Sequence, residues 1–258
     1  MKRSFFDLSG RTAVVTGATS AVGNLMCEAL ANQGCAIAPV ARNEEKIRKL
    51  ADDLTSEYNV ETFPVRCDIA DSENVDAAVD EIVNHFGSVD ILVNNAGTGM
   101  AGPAEEITDD QFATEMNIDI FGTFRMVRAV AKKAMIASGY GRIINISSVF
   151  GLVGSKFAQS APYQASKGAL VNMTRSLAAE WATYGITVNA ICPGYFETPY
   201  TRKTMEKPDF KAYADIVIPE ERYGEAIDIA TTVIYLASPF SSYVTGVAIP
   251  VDGGYSAI

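Results

Sequence analysis

Tyr163 and Lys167 stand four positions apart in Tyr163-Gln164-Ala165-Ser166-Lys167, and Ser147-Ser148 precede them at the end of an apolar run. Residues at i and i+4 share one face of a helix, so the phenol and the ammonium can enter the same space. A free tyrosine, with a pKa of about 10, is a poor acid or base at neutral pH. A cation one turn away favours the phenolate and brings that pKa towards working pH, where a general acid/base is most effective. A serine hydroxyl nearby can hydrogen-bond the reacting oxygen. Together these groups suit proton transfer to or from a carbonyl or alcohol oxygen. Tyr-x-x-x-Lys also arises by chance on helix surfaces, so the weight rests on what surrounds it.

Composition narrows the field. The 258 residues are 48% apolar, enough for a buried sheet in one α/β unit. A net charge of −10 and a pI of 4.7 argue against a nucleic-acid partner. Cys27, Cys35, Cys67 and Cys192 show no metal-binding spacing and fit reduced core positions in a cytoplasmic protein. His85 is the only histidine, which rules out a Ser-His-Asp triad or a histidine metal site; no metal is expected. No apolar run is long enough to span a membrane, and Met1 to Gly10 lacks the apolar segment of a signal peptide.

The elements that must position the chemistry alternate. Strands are expected at Thr12–Thr16, Ala36–Val40, Thr62–Arg66, Val89–Val93, Arg142–Ile146, Ile186–Ile191 and Val247–Val251. Helices are expected at Val22–Gln33, Asn43–Tyr58, Asp71 or Ser72 to Phe86, Asp109 or Asp110 to Ala137, Ser160–Tyr184 and Glu225–Ala237, while the polar stretch Tyr200–Ala214 reads as mobile. This alternation predicts right-handed crossovers and a single α/β domain over 1–258, a doubly wound parallel sheet of about seven strands. The cofactor half would run to about 150 and the catalytic half from 151. Such sheets bind ligands beyond the C-terminal strand ends, and the remaining motifs fall there.

Thr16-Gly17-Ala18-Thr19-Ser20-Ala21-Val22-Gly23 follows the first strand and opens a helix. Small residues let the backbone approach a pyrophosphate, and the helix N-terminus supplies N–H donors. The second strand ends in Arg42-Asn43, without the acidic residue that would bind the ribose of NAD; Arg42 suits the 2′-phosphate of NADP. Asp68-Ile69 falls where an adenine would lie. Asn94-Asn95-Ala96-Gly97 ends the fourth strand, its asparagines mainly structural and Gly97 allowing close cofactor approach. Pro193-Gly194 ends the sixth, with Thr198 placed to meet a nicotinamide carboxamide.

In this order and spacing the chain, from Gly10 to Gly254, resembles a short-chain dehydrogenase/reductase of the single-domain type, with a Rossmann fold. Its markers are Thr16-Gly17-x5-Gly23, Asn94-Asn95-Ala96-Gly97, Ser148, Tyr163-x-x-x-Lys167, Pro193-Gly194 with Thr198, and Asp252-Gly253-Gly254. The resemblance implies that Tyr163 is the proton donor in reduction and acceptor in oxidation. Lys167 would lower its pKa and hold the nicotinamide ribose, and Ser148, rather than Ser147, would orient the substrate oxygen. It implies cofactor contacts from Gly17, Thr19, Ser20, Ala21, Val22, Gly23, Arg42, Asp68, Ile69, Asn95, Ala96, Gly97, Tyr163, Lys167, Pro193, Gly194, Phe196 and Thr198. NADP(H) is favoured over NAD(H). Two positions depart from the pattern. Ala21 replaces the middle glycine of the phosphate turn. Asp119 stands where most relatives carry an asparagine that supports the lysine through a water. Its charge would raise the Lys167 pKa, and a proton relay could end on it.

The segment from Gly194 to Thr201, followed by Arg202 and Lys203, is similar to gluconate 5-dehydrogenase-like members, with both cations placed to hold a carboxylate. The expected activity is therefore NADP(H)-dependent hydride transfer to or from a secondary alcohol or ketone, with a sugar acid as one candidate. A 3-oxoacyl reductase working on an acidic carrier is the alternative, weakened because such relatives place arginines where Gly139 and Tyr184 stand. Phe150, Phe157, Tyr195, Phe196 and Tyr200 would instead suit a steroid or another bulky ketone. A catalytically silent dinucleotide sensor is the reading from another class; it has no need of Ser148, Tyr163 and Lys167 together. The resemblance also implies a homotetramer, joined through the two long helices and through Val244–Val251 with Tyr255–Ile258.

Overall fold

The computed structural model describes residues 4–155, 157–198 and 201–258. Seven parallel strands form one sheet in the order β3-β2-β1-β4-β5-β6-β7. They are β1 (Thr12–Thr16), β2 (Ala36–Ala41), β3 (Val65–Arg66), β4 (Ile91–Asn94), β5 (Gly141–Ile146), β6 (Ile186–Pro193) and β7 (Ala248–Val251). The order reverses between β1 and β4, which opens a crevice at their C-terminal ends. The strands are continuous apolar runs because both faces are covered. Every residue of β1 and of β5 is buried.

One face carries α3 (Ser72–Phe86), the long helix after β4, and α7 (Ala161–Trp181), with Val79, Met126, Val130, Leu177 and Trp181 in its core. The other carries α1 (Ala21–Ala31), α2 (Glu44–Tyr58) and α10 (Ala226–Ala237), with Met26, Leu30, Leu54, Val233 and Leu236. Neighbouring residues of β1 divide accordingly: Val14 joins the first core, Ala13 and Val15 the second.

Three elements differ from expectation. The third strand pairs only at Val65–Arg66, apart from one bridge between Ile37 and Thr62, because Pro64 has no N–H to give the ladder. The helix expected from Asp109 runs as α4 (Asp109–Met116), α5 (Thr123–Val130) and α6 (Ile136–Ser138), joined by wider i→i+5 turns at Asn117–Gly122 and Ala131–Met135. Within the stretch expected to be mobile lie two helices, α8 (Arg202–Met205) and α9 (Pro208–Val217), the second opened by a proline where no N–H is missed. Pro199 and Tyr200 lie outside the described residues.

Buried polar ties hold the site end of the sheet. The Asn94 side-chain amide donates to Asn145 Oδ1 at 2.9 Å, and the Asn145 amide donates to Thr174 Oγ1 at 2.9 Å, linking β4, β5 and α7. All three residues are at most 2% exposed, so a missing partner would leave its neighbours unsatisfied. Asn145→Ala is expected to lower the unfolding free energy by about 2 kcal/mol, measured as a lower urea midpoint at unchanged slope.

Candidate active site

The glycine turn between β1 and α1 can be made only by small residues. Gly17 has φ +63°, and a Cβ there would lie 2.8 Å from Ala96 Cα. A Cβ on Gly23 would lie 2.3 Å from the Gly17 carbonyl oxygen. Ser20 caps α1, its Oγ accepting the Gly23 N–H at 3.0 Å. The Asn95 amide braces the turn from β4, donating to the carbonyls of Thr16 and Gly17, both at 3.1 Å. The N–H groups of Asn95 and Ala96 in turn donate to Thr16 Oγ1 at 3.0 Å. The asparagines after β4 are thus committed to backbone and side-chain ties, as expected of structural residues. Ala21 is exposed at the first position of α1, and its methyl does not prevent the turn from closing. This cradle, opening a helix of 11 residues, fits a pyrophosphate.

On the adenosine side, Arg42 is exposed at the end of β2 and no carboxylate accompanies it there; Asn43 caps α2. Arg66, which sequence patterns did not single out, joins it. The pairing of Ala41 with Arg66 brings the two arginines together, and Arg66 Nε donates to the Arg42 carbonyl at 3.2 Å. Only strand register reveals this neighbour. Asp68 Oδ1 accepts the Ala70 N–H at 3.0 Å, and Ile69 is buried against Gly122, where a Cβ would lie 2.8 Å from it. Gly194 packs on Asp252, within 2.8 Å of a Cβ placed there. Asp252 is held by the N–H groups of Gly254 and Ser256. Thr198 Oγ1 lies 3.0 Å from Thr201 Oγ1. The Phe196 ring is buried against Gly224 in the core.

At the end of β5 the two serines separate. Ser147 Oγ donates to the Lys167 carbonyl at 2.9 Å and so anchors α7 to the strand. Ser148 caps a single tight turn, its Oγ accepting the Phe150 N–H at 3.2 Å. Tyr163 is half-buried on α7, with Lys167 Nζ 5.3 Å from its ring centre.

Lys167 does not stand alone. Its Nζ lies 2.9 Å from Asp119 Oδ2 and donates to the Ile146 carbonyl at 3.4 Å. The Lys167 side chain is 7% exposed and that of Asp119 fully buried. Asp119 Oδ1 accepts the Thr98 N–H at 2.8 Å, and Oδ2 also accepts from Ser166 Oγ at 3.3 Å. The wider turn Asn117–Gly122 holds Asp119 in this place. A side chain at Gly97 would press on the pair, 3.1 Å from Asp119 and 3.3 Å from Lys167. Burial alone would depress the Lys167 ammonium. The charges of Asp119, Tyr163 and Glu115 and the hydrogen bond to Asp119 outweigh it, and the pKa is raised. Glu115 was not singled out either. It is buried one turn before Asp119, where a lone acid in a charged helix offers no sequence signal.

A dinucleotide cradle at the switch point of a parallel sheet, with a serine, a tyrosine and a buried lysine beyond the next strands, defines a nicotinamide-dependent oxidoreductase. Residues 17–256 match a family model described as enoyl-(acyl carrier protein) reductase. The chain is 38% identical over 255 residues, 98% of each chain, to the galactitol 2-dehydrogenase (L-tagatose-forming) of Cereibacter sphaeroides. It is also 38% identical over 248 residues to a 3-oxoacyl-[acyl-carrier-protein] reductase of Rickettsia prowazekii, covering 96% of this chain and 98% of that one. Among solved structures, the gluconate 5-dehydrogenase of Burkholderia cenocepacia in complex with NADP and tartrate matches with a TM-score of 0.93, at 37% identity over 98% of each chain. The chain belongs to the short-chain dehydrogenase/reductase family and is an alcohol dehydrogenase/ketoreductase of that family.

Removing one partner of a buried ion pair leaves the other uncompensated, so Asp119→Ala is expected to cost about 3 kcal/mol in a denaturant titration. A raised ammonium pKa stabilises the fold fully below the ordinary lysine value, and that contribution is lost only as pH rises through the raised value. In Asp119→Asn burial is left to depress the ammonium, so this alkaline loss disappears and the Tm gap between wild type and variant is expected to narrow as pH rises above the ordinary lysine value. An unchanged pH–rate profile in the same variant would count against Asp119 as a participant in proton transfer.

Proposed function

We propose that the protein is an NADP(H)-dependent oxidoreductase of secondary alcohols and ketones of the sugar type, polyols or sugar acids and their keto forms. The observation that carries this reading is the half-buried Tyr163 beside a buried Lys167–Asp119 pair, close to the glycine cradle. Bound in the cradle, the dinucleotide would supply the hydride exchanged with the substrate carbon. Gly17, Thr19, Ser20, Ala21, Val22 and Gly23 hold its pyrophosphate. Asp68, Ile69, Asn95 and Ala96 would border the adenosine side, and Gly97, beside Lys167 and Asp119, would border the nicotinamide side with Pro193, Gly194, Thr198 and the backbone of Phe196. Ser148 Oγ orients the substrate oxygen. Tyr163 Oη gives it a proton in reduction and takes one in oxidation. Lys167, its ammonium 5.3 Å from the Tyr163 ring centre, binds the ribose, and Asp119 keeps Lys167 charged.

The absence of an acid beside Arg42, together with the neighbouring Arg66, favours NADP(H) over NAD(H). The substrate class draws on the galactitol and gluconate dehydrogenases among the relatives. Arg202 already pairs with Glu197 at 2.9 Å, so a substrate carboxylate must displace that exposed pair, worth at most about 1 kcal/mol. A polyol meets no such competitor. The second reading, a bulky ketone, is favoured by the ring cluster of Phe150, Tyr195, Phe210, Tyr213 and Tyr255. No helix of the described residues is long and apolar enough to cross a membrane. Four buried free cysteines support a cytoplasmic setting. The exposed Phe112, Phe121, Phe124 and Ile136 on the α4–α6 helix support assembly as a homotetramer.

Fluorescence titration is expected to show NADPH binding more tightly than NADH, with Arg42→Ala weakening NADPH about tenfold and leaving NADH unchanged. Equal affinities in wild type would make Arg42 and Arg66 solvated surface charges. Tyr163→Phe is expected to lose turnover at least about a hundredfold on a panel of galactitol, gluconate and ketones, while keeping nucleotide affinity. Retained turnover would remove the tyrosine from the chemistry.

A further inference from the structure

Of the residues of α4, only Glu115 is buried. Its Oε2 accepts the Met100 N–H at 3.0 Å. Its Oε1 is buried and has no hydrogen-bond partner among the described residues. The groups facing it are Asp119 from the continuation of its own helix, Lys167 from α7 and the Met100 amide from the loop after β4. Tyr163, also on α7, acts on Lys167.

The charges in this space do not balance if every acid is ionised. Asp119 and Lys167 neutralise each other at 2.9 Å. A carboxylate at Glu115 would add an uncompensated negative charge where its side chain has no access to water, a costly arrangement. Two carboxyl groups sharing one site resist joint ionisation. Oε2 accepts the Met100 N–H, and no donor among the described residues reaches Oε1, so an ionised carboxylate would lack the further hydrogen bonds that stabilise a buried charge.

The geometry points to Glu115 as a protonated fourth member of the Tyr163–Lys167–Asp119 set, a positioning residue that acts through Asp119 and Lys167 and sets the pH at which the site releases a proton. This rests on the proton-handling role proposed for those three residues. Burial first, then the charge of Asp119, hold the Glu115 carboxyl above the usual carboxylate range, against the smaller effects of the Met100 amide and Lys167. A carboxyl raised in the folded state binds its proton more tightly there than in the unfolded chain. Its contribution to stability is full below the ordinary carboxyl range and is lost as pH rises through the raised value.

The first test uses the protein without nucleotide. Glu115→Gln keeps the neutral form at every pH, so its melting temperature relative to wild type is expected to climb between the ordinary carboxyl range and the raised value and to level off above it. In turnover, the part of the rising limb of kcat/KM for alcohol oxidation that lies above the pH at which wild-type Glu115 ionises is expected to move to lower pH by roughly one unit, because the glutamine brings no negative charge to oppose proton loss there. Parallel melting curves, or an unmoved limb, would overturn the assignment. Should the glutamine variant not fold, infrared spectra of nucleotide-free wild type decide. The C=O stretch of a buried protonated carboxylic acid is expected at neutral pH and disappears in alkali; its absence at neutral pH overturns the proposal. Melting and infrared measurements need no turnover, so an error about Glu115 is distinguishable from an error about Tyr163.

Discussion

An ammonium that is almost fully buried is the constraint on which the catalytic end of this molecule depends. Lys167 is held out of water, where an unpaired charge is expensive and ordinarily gives up its proton. It stays charged because two segments meet it and two further groups hold its counter-ion in place. The carbonyl of Ile146 comes from β5, and Asp119 from the wider turn after α4. Ser166 comes from its own helix and the Thr98 N–H from the loop after β4, both fixing Asp119. Each segment is then tied to the others by need of the same charge. The i→i+5 turn at Asn117–Gly122 belongs to this arrangement, since such turns interrupt regular helix where a side chain must be re-aimed.

The cofactor end is constrained in a different currency, that of backbone approach. The glycine turn is closed by steric necessity at Gly17 and Gly23, and by the Asn95 amide reaching back to the carbonyls of Thr16 and Gly17. Asn95 and Asn94 are adjacent, yet one braces the turn while the other joins β5 through Asn145. The end of β4 therefore couples the nucleotide cradle to the strand that carries Ser147 and Ser148. A shift in either would be felt in the other, because adjacent residues of one strand end hold both, Asn94 buried against Asn145 and Asn95 on the carbonyls of the turn.

Much of this was legible before any coordinates. Continuous apolar runs alternating with amphipathic stretches give the seven strands and their helices, because both sheet faces must be covered. Tyr163, Lys167 and Asp119 stood out because their spacing or their departure from a pattern carried chemical meaning. What escaped lay in tertiary relations. Arg66 meets Arg42 only through the register of a two-residue strand. Glu115 looks like one more solvated acid in Asp109–Met116, where Phe112 is exposed and the glutamate is the buried residue, the reverse of what polarity suggests. The helices after Arg202 were hidden because polar composition alone does not separate a mobile loop from short helices resting on an aromatic cluster.

That cluster packs apart from the catalytic lysine. Phe150 follows Ser148, Tyr195 follows β6, Phe210 and Tyr213 come from α9, and Tyr255 comes from the C-terminal turn. These rings pack on one another, with the hydroxyls of Tyr213 and Tyr255 3.0 Å apart, and form a core separate from the two that sandwich the sheet. The buried lysine draws its support from β5, α7 and the α4 turn, and from none of these rings. Replacing a ring alters the wall beside Ser148 while leaving the charge balance at Lys167 intact. Edge-to-face ring pairs contribute about 1 kcal/mol each, so such changes are tolerable singly. The ring cluster and the charge balance at Lys167 thus rest on different packing, and the first can change without cost to the second.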